Sequence, residues 1–153
     1  MKPIYILLIA TGMVFLVSHA QGAGWVYVGT DEVIGVEWNY DLETLNELPT
    51  GIIKVWIKKE YPDEARRKLI QLMISKGLDA KRYDTLSHAL NLFEINCVTR
   101  ENRIMSYTVY STDGGILHKS TIEQQLSEGW ESIFPDSMAE SLYEAVCPPK
   151  EKK

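Results

Sequence analysis

Cys97 and Cys147 are the two cysteines of the chain, and whether they are joined constrains the fold more than any other feature. A bond between them closes a loop of about 50 residues and ties a mid-chain position to the C-terminus, worth roughly 4 kcal/mol on the chain-entropy account, an upper figure before native strain. Two other readings compete with it. A structural zinc site needs four ligands, and no further His or Cys stands at suitable spacing. Free thiols are the second. The compartment discriminates, because an even pair in an oxidising compartment reads as a disulfide.

The N-terminus speaks to the compartment. Lys2 is a positive start, Ile4 to Val17 is a predominantly apolar run, and Ser18-His19-Ala20 carries small residues where a signal peptidase reads. The run is shorter than the roughly 20 residues a spanning helix needs. Residues 1–20 therefore read as a cleavable signal peptide, with Gln21 the first mature residue. No cysteine closes the run, so no lipid anchor is expected. The product is expected to be periplasmic, at the cell surface or secreted, where Cys97 and Cys147 pair.

The charge balance names no partner. The chain has 16 Lys and Arg against 21 Asp and Glu; loss of Lys2 leaves 15 against 21, a net charge of −6. A mildly acidic surface argues against nucleic acid and anionic lipid. Apolar content of 45% with 24% charged residues is that of a globular chain.

Periodicity then places the elements. Residues 25–40 read as two short strands about a turn at Gly29 to Glu32, rich in β-branched and aromatic residues. Pro49-Thr50-Gly51 breaks the chain. In Ile52 to Tyr61, Ile53, Val55 and Ile57 face one way while Lys54, Trp56 and Lys58 face the other. Pro62-Asp63-Glu64 opens a helix with Ala65, Leu69, Leu72 and Met73 as its apolar stripe, Arg66 to Lys68 towards solvent and Gly77 as a left-handed cap. Ser87 to Val98 is a long strand with apolar residues on both faces, which predicts a central strand covered on both sides for part of its length. Thr99 to Asn102 turns the chain, Arg103 to Tyr110 returns, and Ser111 to Gly115 connects to a strand at Ile116 to Ser120. Thr121 to Gly129 is a polar excursion and Trp130 to Phe134 a last extended segment. Ser137 with Glu140 forms a capping box for a helix to Val146, carrying Met138, Leu142 and Val146 on one stripe.

The expected class is α+β. It comprises an antiparallel sheet of about five to six strands, one mid-chain helix, and a C-terminal helix tied by the disulfide to the sheet face of Ala89, Phe93 and Ile95. Residues 21–147 form one domain and residues 148–153 a charged tail.

A search for chemistry finds no catalytic constellation. His19 leaves with the signal; His88 and His118 lie on different strands with no H-E-x-x-H spacing. No G-x-S-x-G elbow, P-loop or G-x-G-x-x-G occurs, and Ser137 is explained as a helix cap. Asp31-Glu32 and Asp63-Glu64 are neighbouring acids at a turn and at a helix start. No catalytic residue, metal ligand or cofactor site is assigned. A hydrolase would need a histidine or carboxylate pair that only folding brings together. Most of the tryptophans and tyrosines suit a small β-rich core. Trp56 is the exception, since it stands between Lys54 and Lys58 on the polar face of its strand. It is either a protein-docking point or a residue covered by a neighbouring loop.

Four stretches in order carry a resemblance. They are Val55-Trp56-Ile57-Lys58-Lys59-Glu60-Tyr61, Phe93-Glu94-Ile95-Asn96-Cys97, Trp130 through Pro135-Asp136-Ser137, and Leu142-Tyr143-Glu144-Ala145-Val146-Cys147. Together they resemble the surface-adhesin protein E family of bacterial envelope proteins, over about residues 25 to 147. The resemblance implies an antiparallel sheet with a disulfide-tied C-terminal helix, binding of extracellular-matrix proteins, and dimerisation. Two functions follow as expectations: a non-enzymatic, adhesin-like protein-binding module, with a homodimer left open, or a periplasmic accessory protein that binds a small ligand or another envelope protein. The second predicts polar groups converging in a pocket between helix and sheet.

Overall fold

The computed structural model describes residues 24–121 and 129–149. The expected signal peptide, most of the polar excursion and the tail from Lys150 lie outside those residues. In chain order the elements are β1 (Trp25–Thr30), β2 (Glu37–Asp41), β3 (Asn46–Glu47), β4 (Ile52–Glu60), α1 (Asp63–Ser75), β5 (Leu86–Asn96), β6 (Glu101–Ser111), β7 (Ile116–Thr121), β8 (Glu131–Ser132) and α2 (Met138–Val146). One antiparallel sheet runs β1-β2-β4-β5-β6-β7, with short β3 on β4 and short β8 on β6. The class is α+β, as periodicity and the cysteines predict.

Alternation along each strand divides the sheet into two faces. On one, Ile53, Val55 and Ile57 of β4 stand opposite Ile95, Phe93 and Asn91 of β5, and Tyr40 of β2 joins them. Leu142 and Val146 of α2 pack on this core face, and Ile53, Val55, Ile57, Ile95 and Leu142 are almost wholly buried. The helix starts where expected: Ser137 Oγ accepts from Glu140 N at 3.2 Å. The Glu140 carboxylate reaches back one residue further than a capping box requires, to Asp136 N at 2.9 Å. Met138 crosses β1 at Gly29, where a Cβ would lie 3.2 Å from the Met138 methyl carbon, so the close approach depends on a residue without a side chain.

Cys97 and Cys147 form the disulfide, with Cα atoms 5.7 Å apart. Tyr143 reinforces it by donating its hydroxyl to the Cys97 carbonyl at 3.1 Å. The bond therefore fixes the end of α2 to the end of β5, on the face that carries Ala89, Phe93 and Ile95.

Three expectations are corrected. The first turn lies at Asp31 to Val36, later than Gly29 to Glu32, because Asp31 Oδ1 accepts from Val33 N and Ile34 N and holds the chain there. The next turn is earlier than Thr99 to Asn102: Asn96 Oδ1 takes Val98 N and Thr99 N, and β6 begins at Glu101. The apolar stripe of α1 is not a core face. Only Ala65 is buried; Leu69 and Met73 are half-buried and Leu72 is 39% exposed. The helix is held by its first turn, where Ala65 packs beside Gly35 and Arg66 turns inward to donate to the Leu86 carbonyl at 3.0 Å. Gly77 does cap it, at φ 72°. As expected, β5 is central, and its Leu90 and Leu92 side is half-buried.

Candidate functional site

That second face is built by the same alternation that makes the core. Lys54, Trp56 and Lys58 sit at every other position of β4, opposite Glu94, Leu92 and Leu90 of β5. The three candidate residues thus share one face, and Trp56 is half-buried there. The turn after β2 reaches its backbone, where Trp56 N donates to Thr44 Oγ1 at 3.3 Å. A loop thus runs beside Trp56, which also lines a surface slot.

The slot has a simple cause. Trp25 on β1 pairs with Asp41 at the end of β2, and the next strand inward carries Trp56. A short residue between two large ones leaves a gap of about 230 Å³, lined by Trp25, Asp41, Trp56 and Leu90. Asp41 forms a buried part of its lining, with its Oδ1 accepting from Glu43 N at 3.0 Å. The walls are otherwise indole and aliphatic.

Cations surround the slot unequally. Lys58 Nζ lies 3.0 Å from Glu60 Oε1 and 5.1 Å from the centroid of the Trp25 ring. Lys54 lies 3.7 Å from Glu94 Oε1, with 41% of its side chain exposed. Glu94 is already claimed: Arg103 donates to its other oxygen from Nε at 2.9 Å and Nη2 at 2.6 Å. Arg103 in turn stacks under Trp130, 4.5 Å from the ring. Lys54 is therefore the least committed of these three cations.

Sequence reasoning missed Trp25, Asp41 and Leu90, because their meeting depends on strand order and register. It also missed Lys59. That residue points to the core face, 3.7 Å above the Trp38 ring and 5.5 Å from that of Phe93. Burial lowers its pKa to about 8, and Asp31 opposes the shift. The signal was present: in strict alternation Lys59 follows Val55 and Ile57.

The histidines do not meet. The register puts His88 beside Glu60 on the slot face and His118 beside Val109 on the core face. His88 stacks on Tyr110 at 4.8 Å, and burial, then Lys58, lowers its pKa. Its Nδ1 lies 3.2 Å from the hydroxyl of its chain neighbour Ser87, a local contact. His118 Nε2 lies 2.9 Å from the Tyr107 hydroxyl. Among the described residues no three His, Cys, Asp or Glu side chains gather as a metal site requires.

A larger cleft of about 740 Å³ opens between the β1–β2 turn and the start of α2, lined by Asp31, Asp136, Ser137 and Met138 among others. Several of its polar groups serve their own backbone. Asp31 holds the turn, and Ser137 donates to the Phe134 carbonyl while capping α2. They do not converge on an interior point, as a small-ligand pocket would require.

The family model described as surface-adhesin protein E matches residues 25–148. Among solved structures, crystal form II of Haemophilus influenzae protein E aligns with a TM-score of 0.45 at 14% identity, over 72% of this chain and 79% of that chain. No curated protein matches the chain.

Proposed function

The chain belongs to the surface-adhesin protein E family, and from that premise we propose that it is an exported, non-enzymatic envelope protein that binds another protein through the sheet face centred on Trp56. Residues 1–20 act as the signal peptide, and residues 21–147 are the working domain, with Cys97 and Cys147 structural. One observation carries the reading. The face opposite α2 bears a half-buried tryptophan, a second tryptophan across a slot, and lysines on the same side. Aromatic anchors in desolvated hollows dominate protein–protein contacts.

The test is site-specific photocrosslinking in intact cells of the native host. A benzoylphenylalanine at position 56 is compared with one at Leu78, which is 55% exposed and lies beyond α1. The expected result is one protein adduct from position 56 and none from position 78, with loss of the adduct on adding Lys54→Glu. Equal adducts from both positions, or none from position 56, reject this face as the docking surface.

A further inference from the structure

We propose that the slot between Trp25 and Trp56 receives one aromatic or long aliphatic side chain from an acidic segment of the partner protein, with a flanking carboxylate meeting Lys54. This inference rests on the reading of the Trp56 face as a docking surface and gives that partner its chemistry.

Three features select the occupant. The first is size: about 230 Å³ is below the roughly 300–1,000 Å³ of drug-sized ligand sites and suits a single side chain. The second is polarity. Asp41, the one acid of the lining, turns its Oδ1 to Glu43 N, and the other walls are indole faces and Leu90. An apolar group meets mainly apolar walls there. The third is charge. Two tryptophans near a carboxylate would suit a quaternary ammonium, but Lys58 already places its own ammonium over the Trp25 ring, 5.1 Å from its centroid. Lys54 is half in solvent, and its nearest acid is already bonded by Arg103. A carboxylate on the ligand is its natural complement. The attraction is local, because the mature chain as a whole is acidic, and added salt weakens it.

The experiment uses the folded, ¹⁵N-labelled mature chain and the indole N–H signals of its tryptophans. Three capped synthetic peptides serve as probes: a phenylalanine flanked by glutamates and aspartates, the same peptide with alanine at the centre, and the same with lysines for the acids. Choline chloride is a fourth probe. The acidic phenylalanine peptide is expected to move the Trp25 and Trp56 signals and leave Trp38 in place. The alanine and lysine peptides are expected to bind at least about tenfold more weakly, a difference of about 1.4 kcal/mol. Lys54→Glu is expected to cut affinity for the acidic peptide about tenfold and to raise affinity for the lysine peptide, with Trp38 and Trp130 signals showing that the fold is kept. Equal response to acidic and lysine peptides, indifference to Lys54→Glu, or a response to choline alone overturns the proposal. Silence at Trp25 and Trp56 towards every peptide also overturns it. If position 56 still crosslinks in cells, only the slot inference falls; if it does not, the docking face falls with it.

Discussion

Lys59 shows how one residue departs from the pattern around it. Strict alternation sends it to the core face after Val55 and Ile57, where burial depresses its pKa to about 8. An unfolded lysine titrates near 10.4. Below about pH 8 both states carry the proton, and the folded state bears the cost of a buried charge. Between about 8 and 10 the folded state loses the proton first, so stability rises with pH. Tyr61, whose pKa is raised by burial and then by Tyr83, works the other way above its ordinary value near 10. The Trp38 ring offsets part of the charge penalty, roughly 0.5–2 kcal/mol for a cation on an aromatic face. Lys59→Met is therefore expected to gain about 1 kcal/mol at pH 7 and to lose the rise in stability between pH 8 and 10. Urea midpoints across that range test it, and an unchanged slope would remove Lys59 as the cause. Leu142 is the opposite case, an apolar side chain 1% exposed between α2 and the sheet. Leu142→Ala is expected to cost about 2–5 kcal/mol, read from the same midpoints.

At the scale of elements, α2 is held by three separate devices. Its stripe buries Leu142 and Val146, its end is bonded through Cys147, and its start is tied by Glu140. The Glu140 carboxylate accepts from Asp136 N at 2.9 Å and from Arg100 Nη2 at 2.5 Å. Asp136 and Arg100 are the two non-glycine residues at positive φ among the described residues, both at 58°. One side chain thus bonds the backbone of one residue that adopts a disfavoured conformation and the guanidinium of the other. The bond from Asp136 N, and then that from Arg100, lowers the Glu140 pKa. Because the folded value is depressed, this contribution is present above the usual carboxylate range and is lost as pH falls through the folded value. Glu140→Gln is expected to flatten the acid limb of the stability profile below about pH 4.3, measured by denaturant midpoints on both proteins. Joint replacement, Cys97→Ser with Cys147→Ser, is expected to cost about 2–5 kcal/mol. Hydrogen exchange should show α2 losing protection first. Equal loss across the sheet would mean that the bond steadies the whole domain and not the helix alone.

For the whole molecule, the two sheet faces have different tasks. One is closed by α2; the other presents the Trp25–Trp56 slot. Protease shaving of intact native cells, followed by mass spectrometry of the chain, tests where the molecule stands. The expected product begins at Gln21, carries no free thiol and is cleaved on intact cells. Protection until the outer membrane is opened would move it to the periplasm and exclude binding to extracellular matrix. Cross-linking of two copies in the same cells would decide the homodimer. The sequence by itself determined the α+β class, the polarity of β4, the capped C-terminal helix and the cysteine pair. Those depend on local periodicity, cap chemistry and covalent possibility, all of which are written along the chain. It also singled out Trp56 with Lys54 and Lys58, since alternate residues share a face. Only the tertiary structure brought Trp25, Asp41 and Leu90 to Trp56, left the α1 stripe only partly covered and set His88 and His118 on opposite faces. Strand order, register and the choice of which apolar stripe is covered arise from contacts between residues distant in sequence, and local pattern does not encode them.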